Sequence, residues 1–151
     1  FNSVIFTHIS IKRYTLRRII MESEIWATLH TARIANAGFF IFTMFSIWVA
    51  ARFSSVAVDK GVNLIGKIIM SLFALAVFAG NYTIGFTVMS SYTGHARAFQ
   101  MLEKTGVELS PMAVEFIDYF GTEAGPHPVM MVVGICGLLI ALLPLWIKTS
   151  D

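Results

Sequence analysis

The stretch that decides the fold is IIMSLFALAVFAGNYTIGFTVM, residues 68–89. It contains no charged residue and carries one asparagine, Asn81, well inside it. A helix needs about 20 mostly apolar residues to cross about 30 Å of hydrocarbon, and this run is long enough. The run shows no strict alternation, and lipid requires every backbone polar group to be paired within the segment. The stretch therefore predicts a transmembrane helix.

Two further stretches of the chain have the same character. They read IANAGFFIFTMFSIWVAARF (34–53) and VMMVVGICGLLIALLPLWI (129–147). Basic or aromatic residues stand near the ends of each run, where side chains can reach the polar headgroups. The sequence therefore predicts three spans, at about 34–53, 68–89 and 129–147.

Composition supports this assignment and excludes other classes of protein. Of 151 residues, 56% are apolar and only 13% are charged, about half the charged share of a soluble domain. A net charge of +2, without a basic stripe interleaved with aromatics, argues against nucleic acid as a partner. The single cysteine, Cys136, excludes an internal disulfide and a cysteine-based metal cage. Its apolar neighbours in sequence predict a packing role.

The connections between the spans differ in length. Residues 54–66 predict a short loop. Residues 90–128 begin with a continuation of the second helix, which we expect to end with Gly106 in the C′ position. The stretch SPMAVEFIDYFG (110–121) predicts a short amphipathic helix with Ser110 as N-cap, Pro111 as first residue and Gly121 as stop. Met112, Phe116, Ile117 and Phe120 are predicted to share its apolar face.

The predicted fold class is an all-α integral membrane protein with three transmembrane helices and a short amphipathic interfacial helix between the second and third spans. We expect one membrane domain over residues 1–151, with an N-terminal interfacial segment (1–30) and an extramembrane cap (90–128). The expected location is a bacterial, archaeal or organellar inner membrane. Met21 would make a natural initiator, so residues 1–20 are open to three interpretations: a processed N-terminus, an extended start or an upstream read-through.

Three spans place the N-terminal segment and the long connection on one side of the membrane, here called side A. The opposite side is called side B. The basic residues of side A outnumber those of side B only when the four basic residues that precede Met21 are included. The positive-inside rule then favours a cytoplasmic side A. All four histidines fall on side A, and so do most of the acids. Asn36 and Asn81 lie in the side-A halves of their spans.

Two interpretations compete for these polar residues. In the first, the histidines are interfacial residues at helix ends, and Asn36 and Asn81 bond to neighbouring helices. Small residues spaced for close helix contact, Ala76 with Gly80 and Gly137 with Ala141, agree with it. In the second, His30, His95 and His127 hold a haem, a metal or a quinone. The sequence lacks HxxxH, HExxH and CxxCH, so no local signature favours the second interpretation.

The sequence shows no catalytic constellation, and we expect no catalytic activity of its own. The predicted function is an accessory or anchoring subunit of a larger membrane complex, with an energy-transducing or oxidoreductase complex as the first host class. Other membrane subunits and lipid are the expected partners. They would cover the apolar faces of the spans, which include Phe39, Phe42, Phe45, Trp48, Phe73 and Phe78. The alternative is a redox anchor that uses the side-A histidines.

Overall fold

A computed structural model describes the backbone of residues 2–147 and the side chains of residues 19–147. The described residues form four α-helices and no β-strand: α1 (Asn2–Asp59), α2 (Leu64–Lys104), α3 (Pro111–Phe120) and α4 (Pro128–Trp146). Within the described part, α1, α2 and α4 are each long and apolar enough to cross a membrane. The predicted all-α membrane class is therefore confirmed.

The helices α1 and α2 are longer than the spans that the sequence predicts. The predicted loop over 54–66 is wrong at both ends. Residues 54–59 continue α1 because they contain neither glycine nor proline, and residues 64–66 already belong to α2. Helix α1 ends in a Schellman motif. Gly61 has a φ of +66°, its N–H bonds to the Val58 carbonyl, and the Val62 N–H reaches the Ala57 carbonyl at 3.0 Å.

The second and third helices begin and end through local capping. Asn63 starts α2, because its Oδ1 accepts a hydrogen bond from the Gly66 N–H at 2.9 Å. The same helix ends at Lys104, and Gly106 follows with a φ of +84°, as predicted. Helix α3 also has the predicted caps: Ser110 accepts from the Ala113 N–H, and the Gly121 N–H reaches the Ile117 carbonyl.

The described chain divides into two compact units. The first unit comprises Phe1–Ile34 and Ser90–Glu123, and the second comprises Ala35–Met89 and Ala124–Asp151. Helices α1 and α2 contribute residues to both units.

The first unit has an aromatic core in which α3 packs on α1 and α2. Phe99 is fully buried, and Trp26 and Phe116 lie against it with ring centroids 4.8 and 5.8 Å away. The buried face of α3 centres on Ala113, with Phe116, Ile117 and Phe120 half-buried. Met112, which the sequence predicts to share the apolar face with these residues, is 60% exposed. The contacts with Trp26 and Phe99 fix the helix rotation that leaves it outside.

The second unit is a three-helix arrangement with small residues at its centre. Ala50 of α1, Ala74 of α2 and Ala141 of α4 form its buried cluster. Gly137 lies against Ile47, so closely that a Cβ on it would come 2.8 Å from the Ile47 Cγ2. Small residues at these positions let the helix backbones approach each other. Because α4 turns its glycines and Ala141 inward, Cys136 faces outward and is exposed, contrary to its predicted packing role.

Candidate functional site

Tyr92, His95 and Arg97 follow the second predicted span, and each contacts a protein group of the first unit. The Tyr92 ring stacks on Phe120 with centroids 4.6 Å apart and planes 8° from parallel. The Arg97 Nε donates a hydrogen bond to the Thr122 carbonyl at 2.6 Å. Two of these three polar residues therefore bind the end of α3 and the chain that follows it.

His95 uses one ring nitrogen within its own helix. Its Nδ1 lies 2.7 Å from the Ser91 carbonyl oxygen, one turn earlier in α2. A carbonyl can only accept, so Nδ1 donates in this contact, and in the neutral imidazole Nε2 is then the acceptor or ligand atom. The His95 side chain is half-buried. An imidazole held in this way has one nitrogen available for a ligand.

The other predicted site histidines lie in different surroundings. His30, on α1 of the first unit, is exposed. His127 belongs to the second unit and is the N-cap residue of α4. Its carbonyl accepts from the Met131 N–H, but its side chain makes no capping bond, and its Nδ1 is buried without a hydrogen-bond partner.

Among the side chains described, no three His, Cys, Asp or Glu residues come close enough to share a metal ion. The joint role of His30, His95 and His127 in holding a haem, metal or quinone stays a prediction.

Asn81 lies inside the second unit and is only 3% exposed. Its Oδ1 is 3.5 Å from the Ser46 Oγ of α1, a long contact, and its Nδ2 is buried without a partner. The Ser46 hydroxyl also donates to the Thr43 carbonyl at 2.9 Å. A hydroxyl carries one proton, so the shorter bond takes it, and the bond to Asn81 is correspondingly weak.

Two further buried polar groups accompany Asn81 in the second unit. Thr43 is fully buried, and its Oγ1 has no hydrogen-bond partner. The Asn36 Nδ2 is likewise buried without a partner. Buried polar groups of this kind, at span depth, are costly when unpaired. The predicted hydrogen bonds of Asn36 and Asn81 to neighbouring helices stay a prediction.

Glu22 is a structural residue that the sequence does not reveal. Its carboxylate accepts hydrogen bonds from the Ser110 Oγ, from the Ser110 N–H at 3.2 Å and from the Trp26 Nε1 at 3.3 Å. A carboxylate at a helix N-terminus also interacts favourably with the helix dipole. Glu22 thus fixes the start of α3 on α1. Because 88 residues separate it from Ser110, no local pattern could have found the pair.

The fold defines a class: an all-α membrane protein with three helices that are long and apolar enough to span. Comparison with known proteins finds no matching family model, no matching curated protein and no matching solved structure.

Proposed function

We propose that the protein is a non-catalytic accessory or anchoring subunit of a larger multi-subunit membrane complex. The observation that supports this most directly is an exposed stripe of small residues along α2, here called the α2 stripe. It consists of Ala76, Gly80, Thr83 and Thr87, all of which are exposed. Their spacing places them on one side of the helix, away from the buried Asn81.

A helix face that meets only lipid gains nothing from small side chains, whereas a face that meets another helix does. At Gly80 there is open space, since a Cβ would meet no atom within 4 Å. The threonine hydroxyls of the stripe already donate to carbonyls of their own helix, at 3.0 Å for Thr83 and 2.9 Å for Thr87. The stripe therefore offers a close approach to a partner helix without an unpaired hydroxyl.

Helix α4 shows how a pair of small residues packs in this fold. The predicted spans contain two glycine–alanine pairs at a spacing of four, and the pair in α4, Gly137 with Ala141, is buried inside the second unit. The pair in α2, Ala76 with Gly80, is exposed in the part of the chain that the structure describes. A second helix outside this chain is the partner that such a surface fits.

The spans also leave most of their surface uncovered. In an apolar 18-residue stretch of α1, and likewise of α2, only 11% is buried inside the protein. In the corresponding stretch of α4 the buried share is 22%. Of the aromatic residues expected to need a cover, Phe39, Phe42, Phe45, Trp48 and Phe73 are exposed, whereas Phe78 packs against Gly134. Lipid and partner helices together would cover this surface. An energy-transducing or oxidoreductase complex is the host class we propose, by association with the small polytopic subunits that such complexes contain.

The test is purification of the native assembly from its membrane in mild detergent, with wild type, Gly80→Leu and Leu75→Phe compared on a native gel. Gly80→Leu adds bulk on the stripe, and we expect it to release the chain from the assembly. Leu75→Phe adds bulk at another exposed position of the same helix and should co-migrate as wild type does.

A wild-type chain that purifies as a stable, isolated monomer would contradict the proposal, as would retention of Gly80→Leu in the assembly. An absorption spectrum of the same sample separates the alternative function. A Soret band that belongs to this chain and disappears with His95→Ala or His127→Ala would instead support the redox anchor.

A further inference from the structure

Lys67 stands at the start of the second predicted span, and its side chain is half-buried. Its Nζ lies 5.8 Å from the centre of the Trp146 ring, within the range of a cation–π contact. The Trp146 indole is held in place, because its Nε1 donates to the Ser71 Oγ at 2.9 Å.

A cavity of about 440 Å³ opens beside this lysine, within the second unit. One wall is the end of α1 with the turn that follows it, including Val58 and Val62, and the other is the end of α4, with Pro144 and Leu145. Lys67 is the charged residue of a lining that is otherwise apolar apart from backbone groups and the indole N–H. This volume is in the range of sites that bind small molecules or parts of larger ones.

The position and the charge of the cavity indicate the chemistry of its occupant. Lys67 precedes an apolar run and Trp146 ends one, so both lie where hydrocarbon gives way to headgroups. The Lys67 ammonium gives the cavity its positive charge, and most of the remaining lining side chains are apolar. An occupant of this site must combine negative charge with apolar surface.

We propose that this cavity, the Lys67 cavity, binds one anionic phospholipid. The phosphate lies against the Lys67 ammonium, and the glycerol and upper acyl carbons pack on Val58, Val62 and Leu145. Free inorganic phosphate would satisfy the lysine but would leave the apolar walls uncovered, so the structure favours the lipid as the source of the phosphate. The proposal is independent of the partner that the α2 stripe contacts.

The experiment counts lipids retained by the full chain in native mass spectrometry. The protein is reconstituted with mixtures of phosphatidylglycerol and phosphatidylcholine, and the wild type is compared with Lys67→Gln, Lys67→Arg and Lys60→Gln. We expect the wild type to retain phosphatidylglycerol in preference to phosphatidylcholine by about fivefold, the effect of one lysine at a membrane surface. Lys67→Gln should lose this preference, and Lys67→Arg should keep it.

Lys60→Gln is the matched control, because Lys60 is exposed in the turn between α1 and α2 and does not line the cavity. If the wild type retained the two lipids equally, that result alone would overturn the proposal. An unchanged preference in Lys67→Gln would also overturn it. Excess inorganic phosphate should leave the bound phosphatidylglycerol in place. Its displacement would show a site for free anions and would refute the lipid assignment.

Discussion

Two glycines in the membrane-spanning helices show how differently one residue type can act. Gly38 is exposed in α1, where an added Cβ would meet no atom within 4 Å, whereas Gly137 lies against Ile47 in the interior of the second unit. Isoleucine is stiff at χ1, so its Cγ2 cannot easily move away. The same substitution should therefore have opposite effects at these two positions.

We expect Gly38→Ala to raise the free energy of unfolding by up to about 1 kcal/mol through helix propensity. Gly137→Ala gains the same propensity but adds a clash, and overpacking costs about 1–3 kcal/mol. The difference between the two variants should equal the steric cost. Equilibrium unfolding in mixed micelles measures it, and equal stability of the two variants would show that Ile47 does not confine Gly137.

At the scale of single residues, the sequence indicates residue type and depth but not contact. The sequence predicts Asn81 inside a span, and in the structure Asn81 is buried within the second unit. The sequence does not identify the Ser46 hydroxyl of α1 as the group that faces it. Cys136 was assigned a packing role because its sequence neighbours in α4 are apolar, whereas Met112 was assigned to the apolar face of α3 by its helical spacing. In a helix that is apolar all round, the pattern alone does not determine which side is buried.

At the scale of elements, the position of α3 depends both on residues at its own ends and on residues far away in the chain. Its caps follow from Ser110, Pro111 and Gly121, which act within a few residues and were therefore predictable. Its docking depends on Glu22 and Trp26 of α1 and on Phe99 of α2. A short helix has little stability alone, so this docking determines whether it remains folded.

We expect Glu22→Gln to loosen the start of α3. The amide retains one oxygen but presents an N–H₂ group towards the Ser110 and Trp26 donors, and hydrogen bonds to a charged group are worth about 1.5–3 kcal/mol. Amide hydrogen exchange in α3 should accelerate relative to wild type, with Glu24→Gln, an exposed neighbour, as control. Unchanged exchange in α3 would mean that the aromatic contacts alone hold the helix.

At the scale of the whole molecule, the three tryptophans can report where the chain meets lipid. Trp48 lies within the first predicted span and is 60% exposed. Trp146 is 53% exposed at the end of the third span. Trp26 is half-buried among Phe99 and Phe116, in the N-terminal segment that the sequence predicts to be interfacial.

In variants that keep one tryptophan each, brominated phospholipids should quench Trp48 most strongly with bromine deep in the acyl chains. Trp146 should respond best to bromine near the headgroup, and Trp26 least to either. Bromine quenches only on close approach, so the order reports depth and exposure together. Strong deep quenching of Trp26 would contradict the predicted interfacial segment, and an unquenched Trp48 would contradict the first span.

The sequence by itself determined the class of protein, because three apolar runs of spanning length are rejected by water whatever their neighbours are. It also determined the helix caps, which depend on residues close together in the chain. Only the tertiary structure decided which pair of small residues packs inside, which acid holds α3, and that Lys67 lies over Trp146. These contacts depend on the rotation and register of whole helices, which are set by the sum of many packing interactions and not by any one segment.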